Sequence, residues 1–168
     1  DAFPTDETEW NDNDGDGTGD NADTDDDNDG LTDIVEDTNG NGTVDEGETN
    51  PLDPDTDDDG YCDGPVTIVD ICEAIDAFPT DETEWNDNDG DGTGDNADTD
   101  DDNDGLTDIV EDTNGNGTVD EGETNPLDPD TDDDGFCDGN VTIVDVCEAI
   151  DAFPTDETEW NDNDGDGT

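Results

Sequence analysis

The chain contains the stretch Asp12-Asn-Asp-Gly-Asp-Gly-Thr-Gly-Asp-Asn-Ala-Asp23, in which acidic residues recur at fixed spacing among small ones. A calcium loop of the EF-hand type takes its ligands from positions 1, 3, 5, 7, 9 and 12 and has glycine at position 6. Asp12 fits position 1, Gly17 fits position 6, and Asp23 fits position 12, where glutamate is usual. This stretch, named loop A, therefore predicts a calcium site around which the backbone wraps.

Further loops of the same pattern follow directly. Loop B, Asp25–Glu36, and loop C, Asp37–Glu48, fill every ligand position, and loops A, B and C recur at 87–98, 100–111 and 112–123. A solvated acidic tail would lack the glycine at position 6 and the acid at position 12. Because the loops are contiguous, no room remains for the flanking helices of a calmodulin-like switch. We expect a ladder of ions along the chain.

Loop D, Asp55–Asp63, matches the pattern only as far as position 9. Its position 12 is occupied by Val66, and the second copy has Val141 at the same place. Neither side chain offers an oxygen atom, so the last ligand must come from elsewhere. The candidates are Asp53, Asp70 or a water molecule.

The predicted ligands are side-chain oxygens, except at position 7, where the backbone carbonyl binds and any residue is allowed. In the first copy they are Asp12, Asp14, Asp16, Thr18, Asp20, Asp23, Asp25, Asp27, Asp29, Leu31, Asp33, Glu36, Asp37, Asn39, Asn41, Thr43, Asp45, Glu48, Asp55, Asp57, Asp59, Tyr61 and Asp63. In the second copy they are Asp87, Asp89, Asp91, Thr93, Asp95, Asp98, Asp100, Asp102, Asp104, Leu106, Asp108, Glu111, Asp112, Asn114, Asn116, Thr118, Asp120, Glu123, Asp130, Asp132, Asp134, Phe136 and Asp138, and a further loop begins with Asp162, Asp164 and Asp166.

The sequence is a tandem repeat with a period of 75 residues, since the segment Asp1–Trp10 recurs at 76–85 and 151–160. We interpret the chain as a window on a longer array. The predicted organisation is repeat 1 at 1–75, with calcium loops at 12–63 and an apolar, disulfide-containing junction at 62–85; repeat 2 at 76–150, with loops at 87–138 and a junction at 137–160; and the start of repeat 3 at 151–168.

The composition sets limits on function. The chain has 61 acidic residues and no Lys, Arg or His, so the carboxylates repel one another and no side chain can neutralise them. Only 23% of the residues are apolar, which by itself would predict disorder. A bound cation is the stabiliser that the sequence requires. Without basic residues the chain is not expected to bind nucleic acid, no apolar run could insert into a membrane, and we expect no enzymatic activity.

The cysteines occur as the pairs Cys62/Cys72 and Cys137/Cys147. Paired cysteines in a chain with little core predict disulfides and an oxidising compartment, hence an extracellular or cell-surface location. The residues at 67–75 fit a short helix and a strand equally well, and this alternative stays open. We expect the aromatic residues to pack with this segment into a small apolar core of Phe3, Trp10, Tyr61, Ile68, Ile71 and Ile75.

The acidic run from Asn11 to Gly30 is rich in Asp-Gly and Asp-Asn dipeptides. It resembles the thrombospondin type 3 repeats, especially those of bacterial and archaeal surface proteins. The resemblance covers most of each repeat. It implies a chain with little helix or sheet, wound around a core of bound calcium ions and tied by disulfides. The chain departs from the family in having one cysteine pair per repeat and the added segment Asp1–Trp10.

Together these observations predict a mostly irregular fold, an array of EF-hand-like loops held by several calcium ions per repeat. The leading functional hypothesis is a rigid extracellular stalk or filament, built either by tandem continuation of one chain or by self-association. The alternative is a calcium-dependent adhesion module that binds glycans or proteins; calcium buffering or mineral nucleation is a third. Glycosylation sequons begin at Asn41, Asn116 and Asn140, but Asn41 and Asn116 are predicted calcium ligands. Covalent glycans are therefore expected at Asn140 or at exposed threonines such as Thr5, Thr8 and Thr49.

Overall fold

The computed structural model describes residues 1–165 and 167, so the predicted ligand Asp166 lies outside the described residues. In this part of the chain the helices are α1, Asp33–Glu36, and α2, Asp108–Glu111, each of four residues. The described residues form no extended strand, and isolated bridges join Cys62 to Ile75, Ile68 to Cys72 and Cys137 to Ile150. The prediction of a mostly irregular fold is confirmed. No described helix has the length and apolarity needed to cross a membrane.

The chain divides into two compact units, Asp1–Asn86 and Asp87–Thr168. The segment 76–85, which the sequence period assigns to the start of repeat 2, therefore belongs to unit 1. A backbone hydrogen bond closes this segment within the unit, because the N–H of Ala77 donates to the carbonyl of Trp85 at 3.0 Å. The sequence period and the structural unit thus begin at different residues.

The single turn of α1 lies inside loop B and covers its positions 9 to 12. Thr32 has extended backbone, and its carbonyl accepts hydrogen bonds from the N–H groups of Val35 (2.6 Å) and Glu36 (3.1 Å). The turn leaves Ile34 and Val35 exposed and buries the Glu36 side chain. The helix therefore serves to return a carboxylate to the loop. Helix α2 does the same for Glu111.

The interior of each unit contains almost no hydrocarbon. Among the described residues the buried apolar side chains are Pro54 and the four cysteines, which form the predicted disulfides Cys62–Cys72 and Cys137–Cys147. The other buried side chains are nearly all carboxylates, with Glu36, Glu111, Asp29 and Asp104 the most fully buried. Burial of the acids in place of apolar groups is the central feature of this fold.

The predicted apolar core around the aromatic residues is wrong. Ile71 is 54% exposed and Trp10 is 55% exposed, while Tyr61 stacks on Trp85 with ring centroids 5.2 Å apart. The segment 67–75 forms neither a helix nor a strand. Asp70 has a left-handed backbone with φ of 68°, which interrupts both structures and turns the apolar side chains outward. Unit 2 repeats the stacked pair with Phe136 and Trp160.

Candidate metal sites

The glycine at position 6 of each of the eight loops has a left-handed backbone. Its φ ranges from 70° to 100° at Gly17, Gly30, Gly42, Gly60, Gly92, Gly105, Gly117 and Gly135. A side chain is strained in this region, whereas glycine enters it freely. The sharp turn predicted from the sequence is therefore present in every loop, and it lets the acids before and after it face one centre.

In loops C and D the acid at the first ligand position accepts hydrogen bonds from backbone N–H groups of its own loop, as Asp37 does from the Gly42 N–H (2.6 Å). In loop D the Asp55 carboxylate accepts hydrogen bonds from the N–H groups of Asp59 (3.1 Å) and Gly60 (2.9 Å). Asp162, at the start of the last loop, accepts from Gly165 (2.6 Å) and Gly167 (2.9 Å) in a similar way. These contacts fold the loop around its acid at position 1.

Positions 3 and 5 use one carboxylate oxygen to hold the backbone. In loop B the Oδ1 atom of Asp27 accepts from the Asp29 N–H (3.1 Å), and the Oδ1 atom of Asp29 accepts from the Leu31 N–H (2.7 Å). The second oxygen of each, together with Oε2 of Glu36, is buried and has no hydrogen-bond partner among the described residues. In unit 2 the same holds for Oδ2 of Asp102, whereas Asp104 accepts there from the Gly139 N–H.

The acids of one loop converge as the spacing predicts. Oxygen atoms of three acids lie within 4.8 Å of one another in each of the clusters Asp12/Asp14/Asp16, Asp25/Asp27/Asp29, Asp55/Asp57/Asp59 and Asp87/Asp89/Asp91. The position 9 acids bind the backbone of position 2 in the same loop, as Asp20 does with the Asn13 N–H (2.9 Å) and Asp33 does with the Asp26 N–H (3.1 Å). The acid at position 9 therefore holds the backbone at the start of its own loop.

Loop C brings amides and carboxylates together. Oδ2 of Asp45 accepts from the side-chain amides of Asn39 (3.1 Å) and Asn41 (2.8 Å), and Oε1 of Glu48 accepts from Asn39 at 3.0 Å. Glu48 is buried. The same contacts recur in unit 2 among Asn114, Asn116, Asp120 and Glu123. An amide that turned its oxygen inward would complete an all-oxygen set here.

The structure also joins two loops that the sequence keeps apart. Asp29 and Glu36 of loop B share a fully buried cluster with Asp63 of loop D, with one oxygen of each within 4.8 Å of the others. Gly64 makes this approach feasible, since a Cβ atom there would lie 2.5 Å from the Asp29 carbonyl oxygen. In the sequence, Asp63 fits position 9 of loop D alone, and the loop pattern has no requirement for Gly64.

Asp26 is a second residue that sequence analysis missed. One of its oxygens is buried without a hydrogen-bond partner in the described part of the chain. Burial raises the pKa of Asp26 to about 7, and the charges of Asp33 and Asp20 add to the rise. The sequence feature that could have indicated a role for Asp26 is the acid at position 2 of loop B, where loops A and C have Asn13 and Thr38.

Burial of so many acids shifts their titration. Burial raises the pKa of Glu36 to about 8, with a further rise from the charges of Asp27 and Asp29. Burial likewise raises the pKa of Asp102 to about 8 and that of Asp63 to about 6. A charged acid in such a place is unfavourable unless a cation compensates it.

These shifts predict that the calcium-free chain becomes more compact as the pH falls from about 8 to about 4. Between the unfolded and folded pKa values the folded chain holds protons that the unfolded chain has released, so the free energy of unfolding falls as pH rises. The test is small-angle scattering of chain stripped with a chelating resin. The control is the calcium-loaded chain, which should instead lose order on acidification as protons displace the ion. The same pH trend in both samples would contradict the prediction.

The donor set is suited to a hard divalent cation. All side-chain donors are oxygens, from carboxylates and amides, and the described clusters contain neither imidazole nor free thiolate. Oxygen ligands in irregular loops are those of calcium, whereas zinc takes nitrogen or sulfur. Neither the models of known protein families nor the curated proteins contain a match to this chain. The likeness to thrombospondin type 3 repeats therefore depends on the loop pattern alone.

Proposed function

We propose that the chain is a calcium-binding structural repeat, similar to the thrombospondin type 3 repeats, in an extracellular stalk or filament. The observation that supports this proposal best is the set of buried carboxylate oxygens without hydrogen-bond partners in the described chain, including those of Asp27, Asp29 and Glu36. A buried charge of this kind costs several kcal/mol unless it is paired. The sequence has no basic side chain that could pair with it.

Calcium fits these loops better than magnesium. Each complete loop offers six ligand positions, and calcium takes six to eight oxygens in flexible geometry. Magnesium demands a near-ideal octahedron and keeps several of its waters. We expect affinities of about 10⁻⁴–10⁻³ M for each site, in the range of extracellular modules. The ion would supply the positive charge that lets adjacent loops pack.

A structural role follows from the arrangement of the sites. The acids at the ligand positions of the loops are assigned to calcium binding, and no catalytic role is proposed. Helices α1 and α2 are single turns inside loops, too short to reorient as the helices of a calcium sensor do. The two disulfides suit an oxidising compartment outside the cell.

The experiment for this function measures whether calcium fixes the spacing between repeats. Nitroxide labels would be placed on the exposed residues Val69 and Val144, after their replacement by cysteine, and electron–electron distances recorded with calcium and with EGTA. A spacer should give a narrow distance distribution in calcium and a broad one in EGTA. A matched pair of labels at Val35 and Val69, within unit 1, controls for the order of the unit itself. A broad Val69–Val144 distribution in calcium beside a narrow control would contradict the spacer function.

A further inference from the structure

Loop D lacks a position 12 acid, and the residue in that place is engaged elsewhere. The Val66 N–H donates to the carbonyl of Asp29 at 2.6 Å, and its side chain lies against Gly30, where an added Cβ would be 2.9 Å from a Val66 methyl group. Val66 therefore packs on loop B. The backbone of loop D leaves its own site after Asp63, and a ligand for the open position must return from later in the chain.

The chain returns to loop D at Asp76. Its N–H donates to the carbonyl of Cys62 at 2.8 Å, and the Cys62 N–H donates to the carbonyl of Ala74 at 2.6 Å, which makes a short parallel bridge. Cys62 immediately precedes Asp63, the position 9 acid of loop D. The disulfide Cys62–Cys72 closes the intervening segment. Backbone and disulfide together hold Asp76 beside the loop.

In the Asp76 carboxylate, as in those of Asp27 and Asp29 in loop B, one oxygen accepts from a backbone N–H group and the other has no partner in the described chain. Asp76 is 5% exposed, its Oδ1 accepts from the Phe78 N–H at 2.7 Å, and its Oδ2 is buried with no hydrogen-bond partner from residues 1–165 and 167. Burial raises the pKa of Asp76 to about 6, and the charges of Asp59 and Asp57 add to the rise.

Unit 2 has the same arrangement. Asp151 is 5% exposed, its N–H donates to the Cys137 carbonyl at 2.7 Å, and its Oδ1 accepts from the Phe153 N–H at 2.7 Å. Its Oδ2 is also buried without a partner among the described residues. Burial raises the pKa of Asp151, and the charges of Asp134 and Asp130 add to the rise. The feature is therefore built into the repeat.

We propose that Asp76 supplies the missing calcium ligand of loop D, and that Asp151 does so in unit 2. This inference rests on the proposed calcium function. It replaces the candidate Asp70, which is exposed and belongs to the turn with left-handed backbone. Because the disulfide Cys62–Cys72 holds the returning segment, ion binding and the disulfide stabilise each other at this site. Each loop D is thereby closed by the residue that begins the next sequence repeat.

The first test compares Asp76→Asn with Asp70→Asn in the otherwise unchanged chain, since both remove one charge within seven residues of each other. Calcium titration by calorimetry and ion counting by native mass spectrometry are the measurements. We expect Asp76→Asn to weaken one site about tenfold or more and to bind one ion fewer at limiting calcium. Asp70→Asn should bind as the unsubstituted chain does. Identical binding by the two variants would overturn the assignment.

The second test compares the affected disulfide with an unaffected one in the same molecule. The rate at which a reductant opens each disulfide is followed by alkylation and mass spectrometry, with and without calcium. In Asp76→Asn, calcium should no longer slow reduction of Cys62–Cys72 but should still slow reduction of Cys137–Cys147 in the same molecule. Equal protection of both disulfides would reject the role of Asp76. If the unsubstituted chain binds no calcium at all, the proposed function itself fails, which is a separate result.

Discussion

Excess EGTA is expected to convert the calcium-loaded chain from a protease-resistant fold into an extended, rapidly digested polypeptide. The buried apolar side chains of the described residues are four cysteines and Pro54, so the hydrophobic effect offers little to stabilise each unit. Removal of the ions would leave Asp29 and Glu36 as uncompensated buried charges in a chain with a formal charge of −61. The loss should exceed the entire net stability of a small domain, about 5–15 kcal/mol.

The measurements are near-ultraviolet circular dichroism and digestion with chymotrypsin. The rings of Trp85 and Trp160 are stacked on neighbouring aromatic residues and should lose their signal together on chelation. Addition of magnesium to the chelated chain is the control, and it should restore much less order than calcium does. Unchanged spectra and digestion rates in EGTA would show that the disulfides and hydrogen bonds suffice, and would contradict the role assigned to calcium.

The substitution Glu36→Gln is expected to have opposite effects in the presence and absence of calcium. Glu36 is 1% exposed, and Oε1 accepts from the Thr49 hydroxyl at 3.1 Å while Oε2 has no hydrogen-bond partner in the described structure. With calcium, the variant loses the position 12 carboxylate, so loop B should bind at least about tenfold more weakly and the unit should lose roughly 1–3 kcal/mol of stability. The expected observation is a lower midpoint of denaturant unfolding.

Without calcium the same substitution removes a charge that opposes folding. Burial raises the pKa of Glu36 to about 8, so a neutral glutamine should let compaction begin at a higher pH than in the unsubstituted chain. The matched control is Glu46→Gln, which removes the same charge from an exposed position. Glu111→Gln, in unit 2, should behave as Glu36→Gln does. If Glu36→Gln and Glu46→Gln behave alike in both conditions, Glu36 has no special role.

The conformation of segment 67–75 could not be predicted from apolar spacing alone. Ile68, Ile71 and Ile75 have helical spacing, yet Asp70 adopts a left-handed backbone and the segment becomes a turn across the disulfide. Periodicity predicts a helix only where a partner surface exists to bury the apolar face. In this chain the interior is occupied by carboxylates, so these side chains face outward.

The sequence by itself determined the loops, because their contacts are local. Spacing placed the acids of positions 1, 3 and 5 around each glycine, and hydrogen bonds of two to five residues' range realise that geometry, as in Asp55 with Gly60. Only the tertiary structure decided how the loops join. Asp63 reaches loop B, and Asp76 returns to loop D, through backbone contacts between residues far apart in the chain. Such contacts depend on the path of the chain between loops, which spacing within a loop does not encode.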